Sequence, residues 1–164
     1  MKFPYAACVK TIESRPTVKK IIILSAKLLP IAVIFLYIGT ALFLLFSGSR
    51  KLGLFLAVPA FCFMIVTIFR NVFNRIRPYD AIGYSPLIPK KSGAGKSFPS
   101  RHTASAWVIA CACCYLSPCY GAGMLLVAGF VGASRVLAGV HYLSDVLAGA
   151  GVALLCSLLF FLPL

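Results

Sequence analysis

The sequence predicts an all-α membrane protein: a single bundle of about five transmembrane helices with an N-terminal interfacial segment. Three observations carry this. Of the 164 residues, 61% are hydrophobic and the mean hydropathy is +0.98, too apolar for a soluble domain of this size. The apolar residues fall into runs of membrane-spanning length, separated by short polar or Pro/Gly-marked breaks. Acidic residues are Glu13, Asp80 and Asp145 alone, against 16 Lys and Arg, for a formal charge of +13. In a membrane setting that excess points to the bilayer's anionic headgroups or a phosphorylated lipid substrate, and not to nucleic acid. Three scattered carboxylates cannot build a magnesium or calcium site, so no metal and no cofactor is expected.

The elements follow in order. Residues 1–20 carry Lys2, Lys10, Arg15, Lys19 and Lys20 against one acid and are too polar to span, so they are expected at the membrane surface. Residues 21–46 form a first span, too long for a signal-peptide core and without a small-residue cleavage site; Lys27 snorkels and Pro30 kinks the helix. A turn at 47–51 leads to a second span at 52–69. Residues 70–102 are the one long polar loop, basic and proline-punctuated, read as mobile over the membrane surface. Within it the run from Ser92 to Ser97 imitates a phosphate loop. Lys90 stands where the first glycine belongs, however, and no strand precedes it. A third helix begins near Ser100 and runs to Leu116, with Ala106, Ala110 and Cys114 forming a small-residue side. Residues 121–138 and 141–162 are the fourth and fifth spans, and Gly129, Gly132, Gly149 and Ala153 allow close packing. Four of the seven cysteines crowd into 111–119, but on one helix they splay around the axis and read as packing residues. No repeat or second domain is visible; residues 1–164 form one membrane domain.

Counting crossings brings three polar clusters to one membrane face: Arg70 to Pro78, Pro99 to His102, and Ser134 to Asp145. His141 and Asp145 are four apart, one turn from each other on a single helix face. The carboxylate holds one imidazole nitrogen and leaves the other to attack or to take a proton. Arg135 lies six residues earlier, across a bend at Gly139, where its guanidinium can hold an anion. Ionisable groups at the mouth of a span mark function, although ion pairs can also be structural. The set suits phosphoryl transfer without a metal. Arginine forks and the Ser100 hydroxyl bind phosphate oxygens, one histidine attacks phosphorus, and the other protonates the leaving oxygen.

Arg70-x6-Arg77-Pro78, Pro99-Ser100-Arg101-His102 and Ser134-Arg135-x5-His141-x3-Asp145 resemble the three motifs of the type 2 phosphatidic acid phosphatase superfamily, which with their helices cover about residues 52–160. The resemblance implies that His141 is the nucleophile, that Asp145 orients it, and that His102 is the general acid. Arg70, Arg77, Ser100 and Arg135 would bind phosphate. It implies hydrolysis of a lipid phosphate or diphosphate of the undecaprenyl diphosphate, phosphatidylglycerophosphate or phosphatidic acid type. Two positions depart from the family pattern: Arg70 replaces a lysine, and Arg101 replaces a glycine. Arg101 and Lys96 are candidate contacts to a further phosphate or a headgroup. Members commonly have six spans, one more than is counted here. A vanadate haloperoxidase would use the same constellation, but those relatives are soluble. The alternative from another class is a non-catalytic phospholipid-headgroup binding or transport protein, which would not need the His102, His141 and Asp145 set. Every Lys and Arg except Arg50 and Lys51 falls on the site's face, which by the positive-inside rule would be cytoplasmic. The resemblance implies a site on the outer face of the cell membrane, and that is the expectation taken forward.

Overall fold

A computed structural model describes residues 4–90 and 95–161. Its elements are α1 (Tyr5–Glu13), α2 (Pro16–Phe46), α3 (Leu52–Phe73), α4 (Pro78–Ile82), α5 (Arg101–Leu116), α6 (Pro118–Leu137) and α7 (Leu143–Phe161), with no strand among the described residues. Pro16, Pro78 and Pro118 open three of these helices, where a missing N–H is no loss. Four stretches are long and apolar enough to cross a membrane: Pro16–Phe46, Leu52–Ile82, Pro118–Leu137 and Leu143–Phe161. Large apolar side chains stand outward along them, Phe35, Phe43, Leu126, Leu147 and Leu159 among them. Water would penalise such a belt; hydrocarbon does not. The chain is a multi-pass membrane protein.

The third expected span needs a qualification. α5 has 16 residues, about 24 Å at 1.5 Å per residue, which is short for a lipid-facing crossing. It sits at the centre of the bundle against α2, α3, α6 and α7, so protein encloses most of it. Its small residues permit this: Ala104, Ala106, Ala110 and Ala112 are all buried. A Cβ at Gly149 of α7 would lie 2.8 Å from the Ser100 carbonyl oxygen, and one at Gly132 of α6 would lie 2.9 Å from Val146. Those glycines set the close approach of α7 to α5 and α6. Gly129 does not take part, since a Cβ there would meet nothing within 4 Å.

Element ends shift in ways that matter for the site. α2 starts at Pro16, so Lys19 and Lys20 belong to it and not to a separate surface segment. Before it stands α1, which packs inward: Val9 and Ile12 join Ile22, Tyr79, Leu87, Ala138 and Val140 in one apolar cluster. α3 runs to Phe73, so Arg70 stands on its last turn and not in the loop. The loop expected to be mobile is largely folded down onto the bundle. Leu87 N–H donates to Ala138 C=O at 3.0 Å, Ser97 N–H donates to Arg75 C=O at 2.9 Å, and Ser97 and Ser100 are fully buried. Part of the Ser92–Ser97 run, residues 92–94, lies outside the described residues, as does the end of the fifth span at 162.

Candidate active site

The third cluster is shaped by two helix ends. α6 stops with Gly139 at φ +73°, where the left-handed conformation lets Gly139 N–H reach Val136 C=O and Val140 N–H reach Arg135 C=O. This reversal carries the chain to His141, and α7 begins only at Leu143. His141 therefore precedes the helix, and the expected pairing on one helical face is not the geometry found. Asp145 is the third residue of α7, and its carboxylate reaches back to accept from Tyr142 N–H at 3.0 Å, half of a capping box. The same carboxylate oxygen lies 3.4 Å from His141 Nδ1. The two residues meet as expected, by a cap and not by a turn of helix. With Nδ1 beside Asp145, Nε2 is left as the nitrogen available to the cavity that His141 lines.

Asp145 is fully buried and holds two further partners that sequence spacing did not suggest. Ser97 Oγ donates to Oδ2 from 48 residues away, and Arg75 Nη1 donates to Oδ1 at 2.8 Å from 70 residues away. Arg75 also donates to Ser144 Oγ at 2.8 Å and lies over the Tyr142 ring at 4.0 Å. The turn that aims Arg75 is made by Asn74, in the left-handed region at φ +36°, whose Oδ1 accepts from Lys96 N–H. Asn74, Arg75, Lys96 and Ser97 thus tie the end of α3 to the start of α7. Arg75 had been visible in the sequence only as another loop charge between Arg70 and Arg77.

The arginines converge. Arg70 Nη1 donates to Pro99 C=O at 2.8 Å and Arg77 Nη1 to Val140 C=O at 3.3 Å. Arg135 Nη2 donates to Ala26 C=O at 2.6 Å. That carbonyl is free because Pro30, four residues on, has no N–H to give it. Arg70, Arg77, Arg101 and Arg135 line one cavity of about 60 Å³ together with Tyr79, His102 and His141. Among the described residues, the buried side-chain polar atoms without a partner are Nε of those four arginines and Oη of Tyr79. All five belong to residues that line this cavity, and no carboxylate lines it. Buried donors left open around one space are what an anion site requires.

Burial pushes the His141 imidazole below its ordinary pKa; the Asp145 hydrogen bond pulls the other way, and Arg77 and Arg70 add to the lowering. Burial thus favours the neutral ring. Two expected ligands stand apart. The Ser100 hydroxyl accepts from Thr103 Oγ1 at 3.0 Å and does not line the cavity, and Lys96 is exposed on the loop. Tyr79 lines it and was not foreseen. Among the described residues no three His, Cys, Asp or Glu side chains come together as metal ligands.

Residues 50–162 match the PAP2 superfamily and contain every one of these groups except Ala26 and Pro30. The chain belongs to the PAP2 superfamily. Within PAP2 proteins it is 32% identical over 116 residues to the undecaprenyl-diphosphatase BcrC of Bacillus subtilis (strain 168), covering 70% of this chain and 59% of the relative. It is 27% identical over 140 residues to a lipid A 1-phosphatase of Rhizobium etli, covering 76% of this chain and 60% of the relative. The chain thus spans 59% and 60% of the lengths of those relatives. Among solved structures it resembles Aquifex aeolicus LpxE, with a TM-score of 0.70 and 27% identity over 92% of this chain and 90% of that one. It shares the fold of a transmembrane PAP2-type phosphatidylglycerolphosphate phosphatase from Bacillus subtilis, with a TM-score of 0.71, 22% identity, and coverage of 95% and 82%.

Proposed function

We propose that this PAP2 chain is an integral-membrane, metal-independent phosphatase that hydrolyses a lipid phosphate or diphosphate through a phosphohistidine. The observation that supports it best is the convergence of four arginines, with buried unpartnered donors, on a cavity lined by both histidines and by no carboxylate. The guanidinium groups of Arg70, Arg77 and Arg135 bind an anionic phosphoryl group there and offset the charge that a metal ion would otherwise offset. His141 Nε2 attacks phosphorus while the bond from phosphorus to the lipid oxygen breaks. His102 gives its proton to that oxygen. Water then attacks the phosphohistidine with His102 as base, releasing inorganic phosphate and restoring His141. Asp145 keeps the proton on Nδ1 throughout.

Lipids of the undecaprenyl diphosphate, phosphatidylglycerophosphate and phosphatidic acid types are the candidate substrates; BcrC is named for the first of these. The outward-facing site implied by the family resemblance is part of the proposal. Arg70, Arg77, Arg101 and Arg135 are drawn into the cavity and so weigh less as topology signals. The test is phosphate release from a panel of these lipids by purified protein in detergent with EDTA present. Turnover should persist and vanadate should inhibit it. Loss of turnover in EDTA that magnesium restores would overturn the metal-free mechanism. Binding of the lipids without turnover would favour a headgroup-binding protein instead.

A further inference from the structure

Beside the arginine cavity lies a second one of about 190 Å³, lined by Pro30 and Val33 of α2, Phe63 of α3 and Ile109 of α5 among other apolar residues. The two cavities have two residues in common, Arg101 and His102. Taking the phosphatase reading as its basis, we infer that the chain is built for lipid diphosphates, and that Arg101 recognises the phosphate that stays on the lipid. The phosphoryl group that His141 attacks occupies the arginine cavity, and the lipid chain occupies the apolar one. The oxygen between them must lie beside His102, which protonates it. The next group along the lipid, on the groove side of that oxygen, meets Arg101.

In a lipid monophosphate that next group is a carbon. It would leave a guanidinium, 5.1 Å over the Phe63 ring and with its Nε buried and unpartnered, facing hydrocarbon. That is an unfavourable arrangement for a charged donor. In a lipid diphosphate the next atom is a phosphorus carrying further anionic oxygens, which a planar fork fits. Charge balance agrees. Four guanidinium groups face the cavity with no carboxylate among its lining residues. A phosphate monoester brings about two negative charges, and a diphosphate brings more. Asp145 does not alter this balance, because its ion-pair partner Arg75 lies outside the cavity lining.

In the reaction, the bond between His141 Nε2 and the terminal phosphorus forms. The bond from that phosphorus to the bridging oxygen breaks, and its electron pair goes to the oxygen. The lipid leaves as a monophosphate, and water releases inorganic phosphate from His141. The experiment compares kcat/KM for a polyprenyl diphosphate and the polyprenyl monophosphate of equal chain length, using the purified full chain in detergent. The wild type should prefer the diphosphate by at least about tenfold, and Arg101→Gln should lower that preference by about tenfold to a hundredfold, whatever happens to each rate separately. Arg101→Lys, which keeps the charge and loses the fork, should fall between the two. Equal efficiency on both lipids in the wild type, or an unchanged ratio in Arg101→Gln, would overturn the inference while leaving the phosphatase reading intact. Turnover of neither polyprenyl lipid, with phosphate released from another lipid of the panel, would overturn the inference alone, and turnover of no lipid at all would overturn both.

Discussion

Arg75 touches neither cavity, yet its removal should be felt at His141. In the Arg75→Gln protein the Asp145 carboxylate loses its nearest cation and keeps Ser97 and Tyr142 as hydrogen-bond donors. The unbalanced negative charge then favours an imidazolium at His141, which opposes the lowering that burial imposes. Through the carboxylate the guanidinium and the imidazole stand roughly 8 Å apart, so an effective dielectric near 20 gives about 2 kcal/mol, or about 1.5 pK units. The Arg75 side chain is 39% exposed, and solvent screening cuts this to roughly half to one unit. A nucleophilic histidine works neutral, and activity is lost as pH falls through its pKa. The acid limb of kcat/KM in the wild type should therefore lie below the ordinary histidine value of about 6.5. In Arg75→Gln it should move upward by that half to one unit. KM should change little, kcat should fall by about tenfold as Asp145 loses its fixed position, and Arg75→Lys should recover part of both effects. The assay is phosphate release across pH 4–8 at saturating and limiting substrate. An acid limb that stays put or moves downward would refute the claim that Arg75 acts through Asp145, even if the rate fell.

Two further outcomes follow from the same geometry. His141→Ala should abolish phosphoenzyme on every substrate, whereas His102→Ala should be far less damaging on a nitrophenyl phosphate, whose leaving group needs little protonation; acid-quench trapping of phosphate on His102 would reverse the two roles. Gly149→Ala puts a methyl 2.8 Å from the Ser100 carbonyl oxygen, where backbone and not a movable side chain must yield, so the protein should lose about 1–3 kcal/mol, read as a lower midpoint in thermal unfolding in detergent.

Much of this molecule was legible in the chain because hydrocarbon-length apolar runs leave few alternatives. The order of helices, the shared face of three polar clusters, and the pairing of His141 with Asp145 all follow from spacing. Legibility ended where contacts depend on how distant segments dock. Arg75 and Ser97 reach Asp145 across 70 and 48 residues, and no local pattern marks them. Helix ends were also misplaced. The reversal at Gly139 comes two residues after α6 ends at Leu137, and the cap formed by Asp145 fixes the start of α7 two residues after His141. Ser100 illustrates a different limit. It opens α5 one residue before Arg101, yet its hydroxyl, expected at the phosphate, accepts from Thr103 at the helix start and does not line the arginine cavity.

The carbonyl that Pro30 sets free has a wider meaning. Arg135, a residue of the family's third motif, is aimed by a backbone oxygen at position 26, well before the matched stretch of 50–162 begins. The hydroxyl of Tyr5, earlier still, accepts the first amide of α7 at 2.9 Å. The similarity that defines the family and the scaffolding that holds its reactive groups in register therefore have different borders. A fragment cut to the family's outline would keep every reacting side chain and lose two of the handles that orient them. Ancestry can be traced through the last two thirds of this chain, while mechanical integrity of the site belongs to the whole bundle.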